Sequence, residues 1–171
     1  LGIKKENVMQ KHHYQDLGKK IDFPVDYMEY DDEEGGVFTT KSDYLRIIQL
    51  AKLRNISFEK QYDLKEHTQD VEFNKLKIIA NELERYKKEF NLVDYNDMIL
   101  KFIEADVSPA FEVVFIDEAQ DLSLMQWDMA KSIWNKSGDS YIAGDDDQAI
   151  FRWAGADVNS FITQTGKFLR L

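Results

Sequence analysis

The chain has 171 residues, enough for one ordinary domain or two small ones, and its 43% hydrophobic content excludes a collagenous or broadly disordered protein. Its 32 Asp and Glu residues against 22 Lys and Arg give a net charge of −10, which excludes a protein that grips nucleic acid by bulk charge alone. The absence of Cys excludes a disulfide scaffold, a thiolate metal site and a cysteine nucleophile.

The sequence contains no apolar run that approaches the roughly 20 residues needed to span a membrane. Its beginning also lacks the apolar core of a signal peptide. We therefore expect a soluble, cytoplasmic protein with no membrane partner. The first residue is Leu rather than Met, which hints at a piece of a longer chain.

The chain up to about Asn91 is polar and helix-patterned, with one acidic break. Seven acidic residues lie between Asp22 and Glu34, close to Pro24 and the pair Gly35-Gly36. This composition predicts an exposed connection between two helical pieces. A metal site on the acidic run is the alternative, but consecutive carboxylates do not easily converge on one ion.

Two stretches before Asn91 have the period of a helix. Ser42 is a suitable N-cap for a helix through about Asn55. A longer helix is predicted from about Gln69 to Phe90, because apolar residues recur there every three or four positions. These residues are Leu76, Ile79, Leu83, Tyr86 and Phe90. Residues 1–92 are therefore predicted to form a mostly helical domain.

The pattern changes after Asn91. Residues 94–100 are typical of a short capped helix. Four consecutive apolar residues, Val113 to Ile116, then predict a strand buried on both faces, as in a parallel sheet.

A helix and a second strand follow. Ser123 and Gln126 form a predicted capping box, and Gly138 comes just beyond the end of the predicted helix. The second strand is predicted at residues 140–144. Strand, helix and strand make a parallel crossover unit, so residues 93–171 are predicted to be α/β.

Polar side chains follow both predicted strands at the same edge of the sheet, where ligands bind in open α/β folds. Asp117 and Glu118 follow the first strand, and three Asp residues and Gln148 follow the second. A hydrophobic strand that ends in Asp-Glu is the Walker B arrangement, in which the first carboxylate can hold Mg²⁺ and the second can polarise a water. Taken alone, the Asp-Glu pair could instead cap a helix, and Gln148 could simply begin one.

Two longer strings carry a resemblance to a known family. Residues 117–121 (DEAQD) and, after a helix and a strand, residues 144–157 (GDDDQAIFRWAGAD) resemble motifs II and III of the UvrD/Rep-type superfamily 1 DNA helicases. The resemblance implies a partial RecA-like P-loop NTPase core with a parallel sheet. By position, residues 1–92 would be a helical inserted subdomain of the 1B type, and residues 93–171 the later half of motor domain 1A.

The resemblance also implies roles for particular residues. In this family the position of Asp117 binds the Mg²⁺ of Mg-ATP, and that of Glu118 activates the attacking water at the same magnesium site. The position of Gln148 lies near the γ-phosphate and helps to couple nucleotide state to DNA. The positions of Phe151 and Trp153 stack on bases of single-stranded DNA, a contact that tolerates any sequence. Without the motif, Trp153 would be interpreted as a core residue.

The sequence also departs from the family pattern. Ala154 stands where many members carry Arg, and Phe151 replaces a common Tyr. The phosphate loop G-x-x-x-x-G-K-[ST] is missing, since neither Gly18-Lys19 nor Gly166-Lys167 is followed by Ser or Thr. Motifs IV to VI, with the arginine finger of a second motor domain, are missing too. We therefore expect an internal fragment with little or no ATPase activity of its own.

These features predict the parent protein as an ATP-dependent helicase or translocase that uses ATP and Mg²⁺. Its expected partners are single-stranded DNA and the second motor domain of the same parent chain. Two alternatives remain open. One is a stand-alone DNA- or protein-binding module derived from a helicase, and the other is the motor part of a helicase-nuclease.

Overall fold

A computed structural model of the protein divides into two compact units, residues 1–101 and 102–171. No helix in the described part of the chain has the length and apolar character needed to cross a membrane. The assignment of 1–92 and 93–171 to an inserted subdomain and a motor domain stays a prediction. The structure describes residues 1–23, 29–31, 37–39, 42–67 and 70–167.

The first unit is mainly helical, as predicted. Ser42 occupies the N-cap position of the second helix, and the helix predicted from Gln69 begins at Phe73, after an extended backbone at Glu72. The bounds of the helices are α1 (Lys11–Lys20), α2 (Asp43–Leu53), α3 (Phe58–Asp63), α4 (Phe73–Glu89) and α5 (Tyr95–Ala105), the last of which runs past residue 101.

The core of the first unit forms where α1, α2 and α4 contribute apolar faces. The predicted stripe on α4 is buried, with the exception of Phe90. Phe90 is the C-cap residue, where the helical backbone ends, and its ring rests on Tyr86 at 4.6 Å instead of entering the core. The buried cluster consists of Met9, Tyr14, Leu17, Tyr44, Leu45, Ile47, Ile48, Val71, Leu76, Ile79, Ala80, Leu83, Tyr86 and Leu92.

The acidic break is more regular than predicted. Within it, β1 (Glu29–Asp31) pairs with β2 (Val37–Thr39) in antiparallel orientation, so the predicted connection between two helical pieces contains a pair of short strands. Val37, Phe38 and Thr39 of β2 and Tyr30 of β1 are residue types that favour strands. Residues 32–34 of the acidic run lie outside the described residues.

A partly buried ion cluster connects the start of α5 to α2 and α4. Lys87 of α4 lies 2.7 Å from Asp97 and 3.1 Å from Asp94, and Lys52 of α2 lies 2.7 Å and 3.2 Å from the same two carboxylates. Glu84 pairs with both lysines at the more exposed side. The predicted cap of the helix is confirmed, because Asp94 and Asp97 each accept a hydrogen bond from the other's backbone N–H.

The charges of this cluster shift two protonation equilibria. Burial opposes ionisation of Asp97, but Lys52 and Lys87 outweigh it and lower the pKa of Asp97 to about 2. Burial likewise opposes the charge of Lys52, and the carboxylates of Asp94 and Asp97 raise the pKa of Lys52 above its ordinary value. Asp97 and Lys52 are therefore both charged at neutral pH.

The second unit contains the predicted crossover. Its elements are β3 (Val113–Ile116), α6 (Leu124–Trp134), β4 (Asp139–Ile142) and α7 (Val158–Ile162), and β3 and β4 pair in parallel. The capping box of α6 is confirmed: Ser123 Oγ accepts from the N–H of Gln126, and Gln126 Oε1 accepts from the N–H of Ser123. Gly138 lies beyond the helix end, where a Cβ would press against the carbonyl oxygen of Glu112.

The prediction that β3 is buried on both faces was wrong. Val113 is 42% and Phe115 75% exposed, whereas Val114 and Ile116 are half-buried. The described part of this unit pairs β3 with β4 alone and leaves one face of the two strands uncovered. On that face Phe115 stacks on Tyr141 of β4, with ring centroids 5.0 Å apart.

Candidate functional site

The carboxyl ends of β3 and β4 lie beside each other. Ile116 pairs with Ile142 in the register of the sheet. The pairing continues past the strands, because the N–H of Ala143 donates to the carbonyl of Ile116 and the N–H of Ala119 donates to the carbonyl of Ala143. Residues that follow the two strands are thereby held at one edge of the sheet.

Asp117 and Glu118 occupy a sharp turn at this edge. Both side chains are exposed, and Asp117 Oδ1 accepts a hydrogen bond from the N–H of Glu118 at 3.0 Å. Glu118 has a φ of 51°, the left-handed region that a residue with a side chain adopts only at a cost of about 1–2 kcal/mol. A short 3₁₀ turn, Ala119–Asp121, follows directly.

Gln120 connects the ends of the two strands. Its side-chain amide donates to Glu118 Oε2 at 2.7 Å, and its Oε1 accepts from the backbone N–H of Asp145 at 3.0 Å. Gln120 is 1% exposed. The sequence pattern assigned it no role, because the contact with Asp145, 25 residues away, depends on the register of β3 and β4. A signal was nevertheless available in Gly144, whose missing side chain leaves room for Gln120.

Asp145 extends these contacts to Gln148. One carboxylate oxygen of Asp145 accepts from the N–H of Asp147 at 3.0 Å, and the other accepts from the side-chain amide of Gln148 at 2.6 Å. A continuous path of hydrogen-bonded groups thus runs from Glu118 through Gln120 and Asp145 to Gln148.

Asp121 adds a further negative group beside Glu118. Its Oδ1 is buried and has no hydrogen-bond partner among the described residues. Burial raises the pKa of Asp121, and the charge of Glu118 raises it further. Both effects disfavour the ionised form of Asp121.

The carboxylates fit a hydrated magnesium ion. Asp117 Oδ2 and Glu118 Oε1 accept no hydrogen bond within the part of the chain that the structure describes. Among those residues, no three acidic or histidine side chains converge on one point. Mg²⁺ commonly binds through one or two carboxylates and keeps waters and substrate phosphates as its other ligands. The oxygens left open here suit that mode.

The aromatic residues of the second string lie in another short turn. Phe151–Ala154 form a 3₁₀ turn that ends at Gly155, whose φ is 104°. Phe151 is half-buried, and Trp153 is 47% exposed, so the interpretation of Trp153 as a core residue was wrong. The N–H of Asp157 donates to the carbonyl of Leu122 and anchors this segment to the start of α6.

Several relatives contain stretches similar to this chain. The ATP-dependent DNA helicase Rep of Buchnera aphidicola (subsp. Acyrthosiphon pisum) is 25% identical over 82% of the chain and 19% of its own length. The probable DNA helicase II homolog of Mycoplasma genitalium is 31% identical over 61% of the chain and 17% of its own length. The RecBCD enzyme subunit RecB of Mycobacterium tuberculosis (strain CDC 1551 / Oshkosh) is 29% identical over 52% of the chain and 9% of its own length.

The chain thus spans between 9% and 19% of the length of these three curated relatives. A family model covers far more of the chain itself. The model of the UvrD/REP helicase N-terminal domain matches residues 3–168. This match shows that the chain belongs to the UvrD/REP helicase N-terminal domain family.

Proposed function

We propose that this chain supplies the magnesium and water site of an ATP-dependent DNA helicase or translocase. The observation that supports this most strongly is the hydrogen-bonded path from Glu118 to Gln148 across the ends of two parallel strands. Parallel strands place their ligand sites at this edge. Membership of the helicase family supports the same assignment.

The residues divide the chemistry of ATP hydrolysis between them. Asp117 would hold the Mg²⁺ of Mg-ATP, which neutralises charge on the phosphates. Glu118 polarises a water and accepts its proton as the water attacks the γ-phosphorus. Gln148 carries an uncharged amide that can accept from water or donate to phosphate, and this suits a sensor of the nucleotide.

Single-stranded DNA is the proposed nucleic acid along which the parent protein moves. Trp153 is about half exposed in a short 3₁₀ turn, and Phe151 lies two residues away in the same turn. Stacking on a base contributes about 1–3 kcal/mol and does not depend on the base. A strongly acidic protein can hold DNA in this way without a net positive charge.

The remaining parts of the motor are proposed to lie elsewhere in a longer parent protein. The triphosphate needs a cradle of backbone N–H groups and a lysine, and this sequence contains no phosphate loop. An arginine finger from a second motor domain completes such sites. The isolated chain should therefore show little or no ATPase activity.

ATP hydrolysis measured with and without single-stranded DNA tests this proposal. The complete parent protein should hydrolyse ATP faster with DNA and should separate strands, and the isolated chain should do neither. A complete protein without DNA-stimulated hydrolysis would contradict the helicase assignment. If the isolated chain hydrolysed ATP as fast as the complete protein, the proposal that parts of the ATPase site lie elsewhere in the parent protein would be contradicted.

A further inference from the structure

We infer that Gln120 is a positioning residue that holds the carboxylate of Glu118 in place for its water and ties it to the Gln148 segment. The inference rests on the proposed function, since it concerns the same site. Gln120 would touch neither nucleotide nor metal and would act only through Glu118 and Asp145.

The first step concerns Glu118 itself. Its side chain is exposed, so packing does not restrict its rotamers. Its hydrogen bond from Gln120 at 2.7 Å occupies Oε2 and leaves Oε1 open. A group that polarises a water must be held close to its productive geometry, and a shift of about 1 Å can cost on the order of 100-fold in rate. Gln120 supplies the restraint that Glu118 otherwise lacks.

The second step concerns the choice of an amide at this position. Gln120 donates to a carboxylate with one end and accepts from the backbone N–H of Asp145 with the other. A carboxylate side chain offers acceptors only, and an apolar side chain offers neither group. Glutamine therefore meets both requirements, and its burial makes an unsatisfied end costly.

The third step concerns the connection to the nucleotide sensor. Gln120 holds the backbone of Asp145, and the carboxylate of Asp145 holds the amide of Gln148. Gly144 allows this approach, since a Cβ there would collide with Gln120 Oε1. A change at Gln148 can thus reach Glu118 through three hydrogen bonds.

Steady-state ATP hydrolysis by the complete protein tests the inference with four variants. Gln120→Met keeps the volume of the side chain and removes both hydrogen bonds. Gln120→Glu keeps the acceptor for Asp145 and removes the donor to Glu118. Gln126→Met is the matched control, because it also removes a glutamine that accepts from a backbone N–H in this unit. Glu118→Gln reports the proposed function independently.

We expect both Gln120 variants to lower kcat by about 10- to 100-fold, with the KM for ATP within about threefold of wild type. Gln126→Met should lower thermal stability and leave kcat within about twofold. If Gln120 served only to hold Asp145, a folded Gln120→Glu variant would keep that link and turn over like wild type, despite the second carboxylate beside Glu118. Wild-type kcat in Gln120→Glu would therefore overturn the inference, even if Gln120→Met failed to fold.

The outcome for Glu118→Gln separates the two proposals. If Glu118→Gln is inactive and both Gln120 variants turn over like wild type, only the positioning role fails. If Glu118→Gln is as active as wild type, the proposed function of the site fails, and the inference fails with it.

Discussion

Gly144 lies so close to Gln120 that a methyl group on Gly144 would collide with the Oε1 atom of Gln120. The ring of Phe161 would lie 3.0 Å from the same methyl carbon. The glycine at the end of β4 is therefore a requirement of packing, because it makes room for the side chain that links the two strand ends.

Gly144→Ala should destabilise the second unit by about 1–3 kcal/mol, the usual cost of overpacking. Urea unfolding followed by tryptophan fluorescence measures it, since all three Trp residues lie in this unit. The same change in a Gln120→Ala background should cost less, because one of the two colliding groups is gone. Equal costs in both backgrounds would show that Gln120 is not the group displaced.

Trp153→Ala should weaken binding of the chain to labelled single-stranded DNA by roughly 5- to 150-fold, equivalent to the loss of one stacked base. Fluorescence anisotropy measures the affinity. Phe115→Ala is the matched control, since Phe115 is an exposed aromatic residue in β3 of the same unit, outside the turn that carries Trp153. An equal loss in both variants would indicate nonspecific adhesion rather than stacking at Trp153.

Lys87→Met should destabilise the first unit by about 1–3 kcal/mol, because it leaves the partly buried carboxylates of Asp94 and Asp97 with one cation fewer. Urea unfolding followed by helical circular dichroism is suitable, since the first unit contains no Trp. Lys88→Met, at the next and exposed position of α4, should change stability by less than about 0.5 kcal/mol. Similar values for the two variants would mean that the ion cluster is not a source of stability.

At acid pH the carboxylate of Asp97 should no longer contribute to the free energy of unfolding. Lys52 and Lys87 lower the pKa of Asp97 from 3.8 to about 2 in the folded chain, against the effect of burial. A carboxylate whose pKa is lower in the folded than in the unfolded chain stabilises the fold at every pH above the unfolded pKa. This stabilisation is lost as the pH falls toward about 2, the folded pKa of Asp97. The difference in unfolding free energy between wild type and Asp97→Asn should therefore shrink by about 2 kcal/mol between pH 5 and pH 2.

The matched control for this pH series is Asp63→Asn, at an exposed position in the same unit. Asp63→Asn removes one carboxylate outside the ion cluster, so its difference from wild type provides the baseline for the series. If the difference for Asp97→Asn depended on pH no more than that of the control, the coupling of Asp97 to the two lysines would be refuted.

The sequence was sufficient to predict those structural features that depend only on residues close to each other along the chain. Ser123 and Gln126 lie within one helical turn, so their capping box was readable directly. The exposure of Phe115 was not readable, because burial of a strand depends on which layers cover the sheet. The role of Gln120 depends on the register of two strands, and no spacing along the chain contains that information.

The same distinction holds for the rest of the site. The position of Asp117 and Glu118 after a hydrophobic strand was predicted correctly, since the end of a strand is a local feature. The left-handed backbone of Glu118 was not predicted, because Glu seldom adopts it. The residues on both sides of this turn, Ile116 and Ala119, are held by hydrogen bonds to Ala143, directly after β4.

Turnover and nucleotide binding of Glu118→Gln in the complete protein test the assignment of this site most directly. Loss of a general base should reduce kcat for ATP hydrolysis by about 100-fold or more, and the affinity for ATP should remain within about threefold. Glu112→Gln, at the opposite end of the same strand, should leave both quantities unchanged. Wild-type turnover in Glu118→Gln would contradict the assignment of the catalytic base.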